Sequence, residues 1–219
     1  MDVADIKKEK PLSLVLGNEF SNAYGFGIPN LGKIVANEAP KSEWIGANMM
    51  SAEKFWQRGF TGKGIKVAIV DNGIDVNHPF LKERIVAGYT PFNKGTSPED
   101  YQDHQGHGSH VAGIVRQVAP DAELMAVRVF PNEEGNGEAA TLDVVAAGIR
   151  WAIDNGAKVI NLSLGGASAP TSFRKVFEYG ASKGVLFAIA GRANGKKARP
   201  IAILIFLGPS LVLLFAGLI

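Results

Sequence analysis

The stretch Ile65-Lys-Val-Ala-Ile-Val-Asp71-Asn-Gly73 decides the fold. A β-branched, almost unbroken apolar run between Gly64 and Gly73 reads as a strand covered on both faces, as in a parallel sheet. Working outward, residues 110–118 have helical spacing and stop at Pro120, and 123–129 read as a second strand. Residues 139–155 read as a helix with Leu142, Val145, Ala146 and Ile149 on one face, ended by Asn155-Gly156. A strand follows at 158–163, stopped by Gly165-Gly166, then a helix at 172–183 and a strand at 185–190. This alternation predicts an α/β domain: a parallel β-sheet with helices on both faces and right-handed crossovers. Ligands gather beyond the carboxyl ends of such strands, where Asp71 and the Ser163-Leu164-Gly165 segment lie.

Composition narrows the chemistry. Hydrophobic residues at 46% and charged residues at 20% describe an ordinary globular chain. With 23 Lys+Arg against 21 Asp+Glu, the net charge of +2 is too balanced for a nucleic-acid binder, and no such partner is expected. The absence of cysteine excludes disulfide frameworks, thiolate metal sites and a cysteine nucleophile.

Three of the four histidines crowd into Asp103-His104-Gln105-Gly106-His107-Gly108-Ser109-His110. Three readings are open: a metal site built on the histidines and Asp103, one catalytic histidine at a helix start, or a polar helix cap. Gly106 and Gly108 oppose a regular helix presenting all three rings together, and no His-Glu-x-x-His pattern occurs. Asp71 supplies a second clue, because a carboxylate at the end of an apolar strand is costly unless paired. A histidine is its natural partner, although Asp-Asn-Gly is also good turn chemistry.

Three segments, in order, resemble those of subtilisin-like serine proteases, the subtilases. Val67-Ala-Ile-Val-Asp71-Asn-Gly-Ile-Asp75, followed by His78-Pro79, is similar to the aspartate motif. Gly106-His107-Gly108-Ser109-His110-Val111-Ala112-Gly113 is similar to the histidine motif, with Ser109 where Thr is usual. Asn161-Leu-Ser-Leu-Gly-Gly166 resembles the substrate-pairing strand. The resemblance covers about residues 44–191 and implies a serine endopeptidase acting on polypeptides. It implies that His107 is the general base, that Asp71 orients it, and that the backbone of Ser163, Leu164 and Gly165 pairs with an extended peptide at a sheet edge. Asp75 and His110 are expected to be structural.

The sequence departs from the family at three places. No Gly-Thr-Ser occurs after the histidine motif at the start of a late helix, where the family carries its nucleophile. The one in the sequence, Gly95-Thr96-Ser97, comes before that motif, so only the Asp and His of the triad are matched. The oxyanion asparagine, expected directly after Ala190-Gly191, is displaced to Asn194 behind Arg192-Ala193. Many members bind calcium through a loop inserted in the helix after the histidine motif. Val111 to Pro120 leaves no room for that loop, and Phe80 stands where those members supply an acid. No metal site and no cofactor are therefore expected, calcium being the one ion the resemblance implies.

The expected organisation is an N-terminal extension at 1–43, a partial catalytic domain at 44–191, and a basic stretch plus an uncharged apolar tail at 192–219. The tail's abrupt composition suggests truncation or a frame shift near Gly191, with the last part of the family domain missing. Residues 1–43 lack the basic start and apolar core of a secretory signal, so a cytoplasmic location is expected, as in intracellular members. The competing reading is a membrane-anchored, peptide-binding pseudoprotease held by 201–219, with Lys196, Lys197 and Arg199 on the cytoplasmic side.

Overall fold

The structure, a computed structural model, describes residues 44–132, 138–164 and 171–189. The extension at 1–43, Gly165, Asn194 and the tail at 192–219 lie outside the described residues.

Two short helices open the fold, α1 (Ile45–Met50) and α2 (Glu53–Trp56). Strands β1 (Lys66–Asp71) and β2 (Ile85–Tyr89) follow, then α3 (His107–Val118), β3 (Glu123–Arg128), α4 (Leu142–Asp154), β4 (Val159–Leu162), α5 (Thr171–Ser182) and β5 (Leu186–Ile189). The five strands form one sheet in the order β2-β3-β1-β4-β5, and every pairing is parallel. The expected α/β architecture is present. Strand β2 was not anticipated. It is an edge strand of mixed burial with Gly88 inside it, so Ile85-Val-Ala-Gly-Tyr89 shows no clean period.

Side-chain alternation along β1 and β3 divides the interior in two. Ala68, Val70, Met125 and Val127 face α4 and α5, where they meet Val145, Ile149, Ala152, Phe173 and Phe177. Val67, Ile69, Leu124 and Ala126 face the other way, toward Ala112, Val111 and Val115 of α3. Helices thus cover both faces, which explains why β1 is apolar without interruption.

The expected handedness needs correction. The steps β2 to β3, β3 to β4 and β4 to β5 all run in one direction across the sheet, yet α3 lies on the face opposite α4 and α5. The β2–α3–β3 crossover therefore has the opposite hand to the other two, and the crossovers are not uniformly right-handed. The preference for the right hand comes from the way a right-twisted strand feeds a right-handed helix back onto the sheet. Here α3 is fixed on its face by polar contacts at its first turn, described below.

Two helix starts differ from expectation. Helix α3 begins at His107 rather than His110, because Asp103 caps the earlier turn. Helix α4 begins at Leu142, because the Thr141 hydroxyl accepts a hydrogen bond from Val144 N–H and makes Thr141 the N-cap.

Candidate active site

Asp71 is the last residue of β1, the third strand in from either edge, and is only 2% exposed. His107 is the first residue of α3 and is half-buried. The fold brings them together: His107 Nδ1 lies 2.9 Å from Asp71 Oδ1 and 3.0 Å from Oδ2. A carboxylate only accepts, so in the neutral ring this pairing favours the tautomer with the proton on Nδ1, whose Nε2 can accept. Asp71 Oδ1 also accepts from Asn72 N–H at 2.9 Å. Burial pushes the Asp71 carboxyl above its ordinary 3.8, against the opposing pull of the His107 and Asn72 hydrogen bonds.

A polar clamp fixes this geometry. Asn72 Oδ1 accepts from Gly108 N–H at 2.7 Å, and Asn72 Nδ2 donates to Gln105 Oε1 at 3.2 Å. Gln105 Nε2 in turn donates to Pro131 O at 2.8 Å, which ties the loop to the segment after β3. Asp103 is buried beneath the start of α3. Its Oδ1 accepts from Gln105 N–H and Gly106 N–H at 2.9 and 2.7 Å, and its Oδ2 accepts from Ser109 N–H at 2.8 Å. The Ser109 hydroxyl donates to Asp103 Oδ2 and accepts from Asp75 N–H at 2.8 Å. That hydroxyl joins the histidine helix to the loop that follows the aspartate strand.

Two glycines make the approach possible. A Cβ on Gly108 would collide with the carbonyl oxygen of Gly73. Gly73 itself has φ +101° and faces the backbone of Tyr101 and Asp103, so a side chain there would be both strained and obstructed.

The other residues singled out in the sequence fall as follows. Asp103 spends its carboxylate on the backbone and Ser109, while His104 and His110 are exposed. Among the described residues no group of three or more His, Cys, Asp or Glu is placed to hold a metal ion. Asp75 Oδ1 accepts from Asn77 N–H within its own loop and from Gln102 Nε2 on the segment that precedes the histidine motif. Ser163 and Leu164 lie just past the end of β4, and the Ser163 hydroxyl donates to Asn161 Oδ1 at 3.0 Å. Strand β4 is not at a lateral edge, since β1 and β5 flank it. A peptide pairing with β4 would have to use backbone beyond Leu162, because β1 and β5 occupy both of its sides.

Sequence reasoning missed Asn72, Gln105 and Arg128. In the sequence Asn72 reads only as part of an Asp-Asn-Gly turn, and Gln105 is given no role. Arg128, 4% exposed, sits opposite Asp71 in register and is held by Asp100 O at 2.7 Å and Glu138 at 2.8 Å. Its signal was the same as that of Asp71, a charge closing an apolar strand.

Comparison with known proteins bears on the family and the fold. The Subtilase family profile matches residues 62–201. Subtilisin E of Bacillus subtilis (strain 168) is 36% identical over 170 residues, spanning 74% of this chain and 42% of that protein. The major intracellular serine protease of the same organism is 33% identical over 169 residues, spanning 73% of this chain and 51% of the relative. The chain thus spans about half, or less, of the length of these relatives. The crystal structure of fervidolysin from Fervidobacterium pennivorans, described as a keratinolytic enzyme related to subtilisin, superimposes with a TM-score of 0.57 at 33% identity. It covers 65% of this chain and 23% of that one. With a family match across most of the sheet and solved relatives of the same architecture, this chain belongs to the subtilase family of subtilisin-like serine proteases.

Proposed function

We propose that this chain carries the Asp/His half of a serine endopeptidase, with His107 as general base and Asp71 as its orienting partner. The observation that supports this most is the Asp71–His107 pair, closed at 2.9 and 3.0 Å in front of the sheet. In peptide hydrolysis the free Nε2 would take the proton of a serine hydroxyl and return it to the leaving amine. Asp71 would hold the tautomer and stabilise the imidazolium. Ser163, Leu164 and Gly165 would align the polypeptide substrate, and Asn194 would assist the oxyanion.

The one Gly-Thr-Ser in the 219 residues, Gly95-Thr96-Ser97, precedes the histidine motif, and its Ser97 caps the short turn Pro98–Tyr101 rather than opening a late helix, so no serine in this sequence matches the family's nucleophile. The chain by itself is therefore expected not to cleave. Purified protein incubated with a peptide substrate and a serine-reactive fluorophosphonate should show neither cleavage nor labelling. Labelling together with cleavage would refute the assignment of the chain as the Asp/His half alone.

The retained Ser163–Gly165 segment, in a sequence whose one Gly-Thr-Ser lies upstream of the histidine motif, supports a second reading, a peptide-binding pseudoprotease. Saturable binding of an uncleaved peptide, lost on changing Leu164, would favour it. No helix among the described residues is long and apolar enough to cross a membrane. The anchor reading rests on 201–219, and carbonate extraction decides it. The intracellular relative supports a cytoplasmic location.

A further inference from the structure

The subtilase resemblance implies a calcium ion near the middle of the histidine helix, and the residues present do not fit one. Calcium takes six to eight oxygen ligands, mostly carboxylates and carbonyls. Here α3 runs unbroken from His107 to Val118, with no inserted loop. At Phe80, where those members supply an acid, the ring is in contact with two partners. The Arg116 guanidinium carbon lies 4.4 Å from its centroid, and the Trp44 ring lies 5.4 Å away at 48°. Arg116 Nη1 is buried and has no hydrogen-bond partner among the described residues. A guanidinium packed on Phe80 also brings positive charge, not oxygen ligands, to this corner.

We infer that a Trp44–Phe80–Arg116 cluster replaces calcium as the fastening of this corner. Three separate segments meet there: the residue before α1, the loop after β1, and the second half of α3. A side-chain guanidinium over an aromatic face supplies the positive charge that an ion supplies elsewhere, and half-burial of all three residues strengthens the contact. The corner is then held by the chain's own atoms and does not depend on an ion from solution.

The test is thermal unfolding of the whole chain in millimolar calcium and in EDTA, with Phe80→Leu, Arg116→Met and the double variant alongside. A ligand that binds only the native state raises the melting temperature. The inference predicts melting temperatures equal within about 1 °C in calcium and EDTA. It also predicts that each single variant lowers the melting temperature by roughly 2–5 °C, and that the double falls no further than the larger single. A calcium-dependent rise of several degrees in the unmodified chain would overturn it. So would additive losses in the two variants, which would show that ring and guanidinium do not act together.

Discussion

The two faces of the sheet are built by different means. The face toward α4 and α5 is large and apolar, and its aromatic rings pack edge to face: Phe177 sits 5.0 Å from Phe173 and 4.7 Å from Phe187. The face toward α3 is smaller, and its upper rim is polar, with Asp71, Asn72 and Asp103 buried among directed hydrogen bonds. Apolar contact is non-directional and supplies stability. Hydrogen bonds are weak in net energy but fix distance and angle. The difference assigns stability to one face and the placement of His107 to the other.

Substitutions that separate these roles test the division. The largest effect is expected from Phe177→Ala, 1% exposed in the larger cluster, at about 3–5 kcal/mol in urea unfolding. The folded fraction should keep its Asp71–His107 pair unchanged by NMR. A collapse of that pair in the folded protein would show that the faces are not separable.

Asn72→Ala should cost less, about 1–3 kcal/mol, by leaving the Gly108 N–H without its partner. Its signature is local: the His107 imidazole resonances should broaden or shift, while aromatic signals from Phe173 and Phe177 hold still. An undisturbed His107 would remove Asn72 from the clamp.

A smaller shift is expected for Asp71→Asn, and its sign is the informative part. The Asp71 carboxyl is raised above 3.8, chiefly by burial, so the native state holds its proton more tightly than the unfolded chain. Ionised Asp71 therefore costs stability above its folded pKa, and that cost fades as pH falls toward 3.8. By this effect Asp71→Asn should gain stability relative to the unmodified chain at neutral pH, and the gain should shrink on acidification. Unfolding curves across pH 3–7 decide it.

The smallest effect belongs to Asp154, on the exposed rim of the α4–α5 face. Its carboxyl is lowered, first by the Tyr179 hydroxyl and then by Arg150. The stability it adds is present above 3.8 and lost as pH falls through the depressed pKa. At 41% exposure, solvent screening limits it, and Asp154→Asn should cost under about 1 kcal/mol at neutral pH.

The same contrast explains what the sequence made legible. The buried strands and α4 and α5 could be read because apolar periodicity follows from burial, and burial dominates that face. Asp71 and His107 could be read because a charge closing an apolar strand and a histidine between glycines each break the local pattern. What escaped lies on the polar rim. Strand β2 is half-exposed at an edge, α3 starts one turn earlier because Asp103 reaches forward to cap it, and its crossover has the unexpected hand. Each depends on contacts between residues some distance apart, such as Asn72 with Gly108 and Asp75 with Ser109, which no local pattern encodes. Sequence rules fail here where the candidate site is assembled.

The central claim is that the fold presets the Asp71–His107 pair, with or without a nucleophile. Nitrogen-resolved NMR of the histidine rings, in the unmodified chain and in Asp71→Asn, measures it directly. The account predicts that His107 alone among the histidines is locked with its proton on Nδ1 in the unmodified chain. In Asp71→Asn the proton should move to Nε2, because the new amide donates where the carboxylate accepted. A His107 that averages between tautomers like the exposed His104 and His110, and does not respond to the substitution, would contradict it.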